Sequence, residues 1–285
     1  MPYRDSSQAV NRSRRRKYPV SGTIPFNHIL VLLICLCTIH SSFADEYKDS
    51  WQQMKGQDFI IYYRANVPED FVQTTMDTAE EEFKRVTDNL GITNNQYWSL
   101  KTKVKIYIYS DQDDYVKNGG QAVWSHGVAF AQAKTIKTYP EVSGFFDSIL
   151  PHELGHIIFR DYIGFSAEIP LWFEEGVAIY QEKAKRLGSN KTVIEAIENG
   201  QFIPLTQLSG MRLYKDTKAQ VVDLFYTESA SVVYFMIAEL GEQEFYMLCR
   251  ELKNNRPFQA ALHKVYLRFK TMNELNQAWT GYLQG

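Results

Sequence analysis

Residues 152–156 read His-Glu-Leu-Gly-His within the stretch Ser148–Phe159, SILPHELGHIIF. The two histidines are four residues apart, so a helix places both imidazoles on one face, close enough to bind one zinc ion. Glu153 lies one position further round that helix, where its carboxylate can reach a water in an open coordination position. The apolar residues on either side of the motif are those of a helix running through a core. The stretch therefore predicts a buried helix that carries a catalytic metal site.

Two residues within this stretch predict its local structure. Gly155 costs about 1 kcal/mol relative to alanine inside a helix, so we expect another backbone to pass close to it. Pro151 lacks an N–H and is tolerated only in the first turn of a helix. The helix should therefore begin near Ser148, with Asp147 or Ser148 as its cap, which places the first histidine close to the helix start.

A second acidic motif follows after a gap of eighteen residues, in Pro170–Tyr180 (PLWFEEGVAIY), where Glu174 and Glu175 are adjacent carboxylates. The histidine motif alone arises by chance in on the order of one chain in a hundred. A third metal ligand elsewhere in the sequence is therefore needed to distinguish a metal site from a chance match. Two histidines and one glutamate with an open fourth position are a donor set typical of catalytic zinc.

These two motifs together resemble those of the gluzincin metallopeptidases, and most closely the small peptidase-MA-like branch. The similarity covers residues 103–285. It implies a thermolysin-like catalytic core with one zinc ion, held by the three ligands His152, His156 and Glu175. The eighteen-residue gap and the glycine that follows favour Glu175 over Glu174.

The resemblance also implies a mechanism and its residues. Glu153 acts as the general base on the zinc-activated water and passes the proton to the leaving amine. Members of the family supply a tyrosine or histidine to the oxyanion from a helix beyond the ligand glutamate. The match is Tyr226, fifty-one residues after Glu175. An ordinary buried aromatic is the alternative for Tyr226, and the isolated His126 and His263 are interpreted as structural.

The expected substrate is a peptide or protein. Gluzincin aminopeptidases carry a G-x-M-E-N segment whose glutamate binds the substrate's amino terminus, whereas the corresponding residues 127–131 (GVAFA) contain no acid. This favours an endopeptidase, with the strand at 127–133 pairing with an extended peptide. Two alternatives are a zinc-binding envelope scaffold or interaction protein without significant peptidase activity, and an envelope protein whose motif is accidental.

The periodicity of the chain predicts an α+β fold, with a small mixed sheet in the first half packed on a mainly helical second half. Strands are expected at 58–64 and 103–109, with one or two more in 128–139. The first half also contains predicted helices at 68–90 and 111–117. Seven helices are predicted in the second half: 148–162, 170–187, 191–199, 219–239, 241–253, 257–266 and 272–283.

The amino terminus has the pattern of a targeting segment. A basic stretch, Arg12–Lys17, precedes eleven apolar residues, Ile29–Ile39, and small residues then allow cleavage after Ala44. Eleven residues suit the core of a signal peptide, since a bilayer span needs roughly twenty. We therefore expect export to the periplasm or secretion, with a single zincin-like domain at 45–285. An uncleaved anchor, the only expected membrane contact, is the alternative.

The charge and the cysteine content of the chain argue against a nucleic-acid-binding protein and against a disulfide-stabilised fold. Residues 45–285 carry 25 Lys/Arg against 32 Asp/Glu, a net charge of −7, which disfavours a nucleic-acid partner. Cys249 is the only cysteine after the apolar segment, so no internal disulfide can form and the fold depends on its core. Its apolar neighbours indicate a buried side chain. Nothing in the sequence sets an oligomeric state.

Overall fold

The computed structural model describes residues 51–92, 102–121, 127–140, 142–214 and 216–285. The predicted signal segment, residues 1–44, lies outside the described residues, as does His126. Within the described part, the predicted α+β arrangement is confirmed: strands occupy the first half and helices the second.

Five strands form one mixed sheet, in the order β1-β2-β3-β5-β4. The three central strands run parallel, and β1 and β4 pair antiparallel at the two edges. The alternation predicted for the central strand is observed, since Val104, Ile106 and Ile108 are fully buried. The strands are β1 (Trp51–Lys55), β2 (Phe59–Arg64), β3 (Val104–Ile108), β4 (Gly127–Phe130) and β5 (Thr135–Thr138).

Helices cover one face of this sheet and make up the second half. The long helix α1 packs against both β2 and α3, and it buries an apolar stripe that includes Val72, Met76 and Val86. The helices are α1 (Glu69–Asn89), α2 (Gln112–Lys117), α3 (Leu150–Ile163), α4 (Leu171–Tyr180), α5 (Lys183–Glu198), α6 (Leu205–Leu208), α7 (Ala219–Tyr234), α8 (Glu242–Lys253), α9 (Phe258–Val265) and α10 (Met272–Gln284).

Glycines allow the three helices at the centre to approach closely. A Cβ on Gly155 would lie 3.0 Å from the Cα of Ala178, which confirms that a second backbone passes beside α3. A Cβ on Gly176 would lie 2.3 Å from the carbonyl oxygen of Ser229, so α4 and α7 also approach closely. The motif-bearing helices are thereby held in one packed group.

Two local predictions are wrong, and one strand was not predicted. Trp51–Lys55 forms an edge strand that was not predicted, because its sequence, WQQMK, does not alternate between apolar and polar residues. The predicted helix 170–187 ends at Tyr180, and residues 183–198 form one helix, α5, where the end of that first helix and a separate helix at 191–199 were expected. A π-helical turn, Phe145–Ile149, precedes α3, and neither Asp147 nor Ser148 caps the helix with its side chain.

Among the described helices, the segment Ala219–Glu239, which is α7 with the π-helical turn that follows it, is apolar and long enough to cross a membrane. Its most apolar window is 67% buried inside the protein. This segment contacts α4 and α5, so its apolar composition is accounted for by its position in the core.

Candidate metal centre and active site

The structure brings the three predicted ligands together. His152 and His156 lie on one face of α3, and Glu175 approaches them from α4. The two Nε2 atoms are 3.1 Å apart, and the Oε2 atom of Glu175 lies 3.8 Å from the first and 3.6 Å from the second. All three side chains are buried.

These distances fit a zinc ion. Ligand atoms at 2.0–2.1 Å from tetrahedral zinc lie about 3.3 Å from one another, which is within the range that the three atoms span. Oε2 of Glu175 is buried and has no hydrogen-bond partner among the described residues. A buried carboxylate oxygen without a partner is costly unless a cation satisfies it. Both the chemistry and the spacing of the donors therefore suit one zinc ion.

His152 is oriented by a residue that the sequence reasoning missed. Its Nδ1 atom lies 2.9 Å from Oε1 of Glu182, the residue directly before α5. Glu182 also accepts hydrogen bonds from the Ser148 hydroxyl and from Lys185. Burial opposes ionisation of Glu182, but these partners lower its pKa to about 2. The carboxylate fixes the imidazole with Nε2 toward the ligand cluster.

His156 has its own carboxylate neighbour, Glu174. Oε1 of Glu174 lies 3.9 Å from Nδ1 of this histidine, on the side opposite the ligand cluster. Arg160 donates hydrogen bonds to both carboxylate oxygens of Glu174. Glu174 is therefore paired with Arg160 and is not one of the three clustered side chains. Burial lowers the pKa of His156, but Glu175, Glu174 and Glu153 together raise it to about 9.

Glu153 lies beside the cluster with one free oxygen. It is 1% exposed, and its Oε2 atom has no hydrogen-bond partner among the described residues. The backbone N–H of Ala129, in the edge strand β4, donates to the carboxylate. Burial raises the pKa of Glu153, which moves the group toward the range of a useful general base.

Tyr226 is placed at the same site by α7. The residue is buried, and burial followed by the charges of Glu175 and Glu153 raises the pKa of its phenol. Its hydroxyl therefore remains protonated and can donate a hydrogen bond. His263 is exposed near the end of α9, and Cys249 is buried as predicted.

Comparisons with known proteins identify a family and a similar fold. Residues 80–285 match the family model of the Peptidase MA superfamily. The structure is similar to that of native yeast LTA4 hydrolase, with a TM-score of 0.51 and 13% sequence identity. The similarity covers 80% of this chain but only 38% of the yeast protein. The fold is thus of the gluzincin type, and no curated protein matches the sequence.

Proposed function

The chain belongs to the Peptidase MA superfamily, and on this premise we propose that it is an exported zinc endopeptidase. Membership supports a zinc metallopeptidase type of function with peptide or protein substrates. The observation that carries the proposal is the convergence of the two Nε2 atoms on Oε2 of Glu175, beside the free oxygen of Glu153. A purely structural zinc site needs no such base.

The proposed chemistry assigns each residue one task. His152, His156 and Glu175 would hold a single zinc ion. That ion would polarise the scissile carbonyl and lower the pKa of the attacking water. Glu153 takes a proton from the water as its oxygen attacks the carbonyl carbon. The same carboxyl then donates that proton to the amine nitrogen as the C–N bond breaks.

Tyr226 is assigned to the developing oxyanion. Its phenol is held among the charges of Glu175 and Glu153, and its raised pKa keeps the proton available for donation. A preorganised donor in a buried site needs no reorganisation during the reaction. The alternative, a buried aromatic that only packs, predicts no effect of the hydroxyl on turnover.

The edge strand β4 supports an endopeptidase. Since Ala129 donates its N–H to Glu153, this strand borders the site, and an extended peptide can add to it by strand pairing. Residues 127–131 contain no acid that could hold a substrate's amino terminus there. The peptide can therefore continue on both sides of the cleaved bond.

Export is inferred from residues 1–44, whose basic and apolar stretches have the pattern of a signal peptide. The catalytic domain would comprise residues 45–285, outside the cytoplasm in the periplasm or the medium. An uncleaved amino-terminal anchor and a zinc-binding scaffold without peptidase activity are the competing proposals.

The test is zinc content followed by hydrolysis. Elemental mass spectrometry of the purified protein should find one zinc per chain, which is lost in the double variant His152→Ala/His156→Ala. The matched control His263→Ala, at an exposed position, should retain it. Glu153→Gln should keep zinc but cleave a peptide library orders of magnitude more slowly. Zinc binding without cleavage by the wild type would favour the scaffold, and a folded protein that takes up no zinc would refute the peptidase.

A further inference from the structure

The face of the sheet that points away from the metal-binding helices has an unusual composition. Helices α1 and α3 pack on the opposite face, where Ile61, Ile106 and Ile136 are fully buried in the core. The residues that alternate with these along each strand form what we call the outer face. The five strands contain no aspartate or glutamate, and all four of their basic residues lie on the outer face. The outer face is therefore a basic patch on a domain in which acidic residues outnumber basic ones.

Two of these basic residues, Lys55 and Lys105, are exposed and lie in one row across the sheet, because both align with Ile60. Two strand spacings separate them, about 10 Å. Neither forms an ion pair with a described residue, whereas Arg64, at the other end of the face, is paired with Asp114 of α2 at 3.0 Å. The two ammonium groups are therefore available to an anion from outside the protein.

Aromatic rings lie among the lysines of the outer face. Tyr62 and Tyr107 are neighbours on β2 and β3 and stack with their ring centres 4.9 Å apart. Trp51 packs edge-on against Tyr107, with the ring centres 5.3 Å apart. Phe130, on the edge strand β4, is 43% exposed, and the ammonium of Lys137 lies 5.4 Å from its ring centre. Exposed rings beside lysines are typical of surfaces at a bilayer interface, where rings lie at headgroup level and lysine stems extend toward the phosphates.

The chain enters the sheet on this same face. The strand β1 begins at Trp51, and eleven residues separate it from the apolar segment Ile29–Ile39. Eleven residues span at most about 40 Å when fully extended. A bilayer that holds the apolar segment during export therefore lies within reach of the outer face. The basic charge, the exposed rings and this connection together favour anionic lipid over an acidic protein, to which the apolar segment gives no connection.

We propose that the outer face docks on an anionic bilayer, with Lys55 and Lys105 against lipid phosphates and the ring of Phe130 among the headgroups. Each lysine close to such a surface strengthens binding about fivefold. Because the N–H of Ala129 on β4 contacts Glu153, this strand also borders the proposed active site, and docking holds that site close to the bilayer. The inference concerns binding and does not depend on the proposed hydrolysis.

The experiment follows the fluorescence of an introduced tryptophan on vesicles of brominated phosphatidylcholine, a lipid that quenches tryptophan within the bilayer interface. The full chain carries either Phe130→Trp on the outer face or Tyr214→Trp at a position outside the sheet that is 66% exposed. Vesicles with about 30% phosphatidylglycerol should quench the first protein more strongly than the second, and vesicles without it should quench both equally. Both proteins carry the same amino-terminal segment, so its own membrane contact does not affect the comparison.

Two lysine pairs, substituted in the Phe130→Trp protein, test the charges. Lys55→Gln/Lys105→Gln should lower the docking constant about 25-fold and remove the additional quenching. Lys84→Gln/Lys218→Gln removes the same charge at exposed positions, on α1 and directly before α7, and should preserve the additional quenching.

The outcomes separate this inference from the proposed function. Equal quenching of the two tryptophan variants on anionic vesicles would overturn the inference, and so would equal effects of the two lysine pairs. Retention on dextran sulfate that requires Lys55 and Lys105, without quenching on vesicles, would also overturn it, because the partner would then be a soluble anionic polymer. None of these results bears on zinc binding or hydrolysis, and a wild type that docks but does not cleave peptides would remove the peptidase and leave the docking intact.

Discussion

Replacing Glu228 with glutamine should stabilise the protein at alkaline pH and leave it unchanged at acidic pH. The side chain of Glu228 is fully buried in α7. Oε1 accepts a hydrogen bond from the backbone N–H of Ile203 at 2.9 Å, whereas Oε2 has no partner among the described residues. Burial raises the pKa of Glu228 from 4.5 to about 8, which the hydrogen bond from Ile203 offsets only in part.

The direction of this pH effect follows from the linkage between protonation and folding. A carboxyl whose pKa is higher in the folded than in the unfolded protein binds its proton more tightly in the folded state. Its contribution to stability is complete below the unfolded pKa of 4.5 and is lost as the pH rises toward about 8. Since one pKa unit corresponds to about 1.4 kcal/mol, the full loss is at most about 5 kcal/mol. Glutamine imitates the protonated carboxyl and keeps the acceptor for Ile203.

The assay is urea unfolding of wild type and Glu228→Gln at several pH values between 4.5 and 8. The difference in unfolding free energy should be near zero at the acidic end and should grow to about 3–5 kcal/mol in favour of the variant at pH 8. The titratable groups that both proteins share contribute equally to the two unfolding free energies, so their contributions cancel in this difference. Glu195→Gln, on the exposed side of α5, should change stability by less than about 0.5 kcal/mol throughout. A difference that does not vary with pH would refute the reasoning.

Three further predictions concern the site and its packing. Tyr226→Phe should keep its zinc and lower kcat about 100- to 1,000-fold in a peptide assay; unchanged turnover would reduce Tyr226 to packing. Because the pKa of His156 is about 9 in the metal-free protein, zinc must displace a proton below that pH. A chelator competition should therefore show affinity falling about tenfold per unit from pH 8 to 6, and a flat profile would contradict the raised pKa. Gly176→Ala should lower the unfolding free energy by about 1–3 kcal/mol or more in urea, since its Cβ would lie 2.3 Å from the Ser229 oxygen. Gly188→Ala, where nothing is within 4 Å, is the control, and equal effects would exclude the clash.

The convergence of His152 and His156 was predictable because their pattern is local. The two histidines are four residues apart on one helix, and helical geometry alone brings them to the same face. Glu175 required a resemblance to a family, since its approach depends on how α4 packs against α3. The close packing was nevertheless indicated by Gly155, which has the backbone of Ala178 against it.

The cap of α3 was not predictable in the same way. Asp147 and Ser148 are residue types that often cap helices, yet both lie within a π-helical turn that directly precedes α3. The hydroxyl of Ser148 donates to Glu182 instead, a residue thirty-four positions later. In the folded protein the Ser148 hydroxyl is therefore bonded to a distant carboxylate and does not cap the helix.

The break between α4 and α5 explains why Glu182 was missed. Neither Gln181 nor Glu182 is a residue that ends helices by its own conformational preference. Instead, α1 satisfies the end of α4, since Arg85 donates to the carbonyl oxygen of Gln181 at 2.7 Å and Asn89 donates to its side chain. Such long-range hydrogen bonds satisfy the groups that a helix end leaves free.

This helix break determines how the charged wall of the site is built. Glu182 follows Glu175 by seven residues, a spacing of about two helical turns, so an uninterrupted helix would keep both carboxylates on one side. Because the chain leaves the helix at Glu182, that carboxylate reaches Nδ1 of His152 while Glu175 faces the Nε2 atoms. The restart at Lys183 then brings Lys185 against Glu182. The orientation of His152 and the contact of Lys185 with Glu182 therefore depend on the same hydrogen bonds from α1, which lies far from residues 152–156 in sequence.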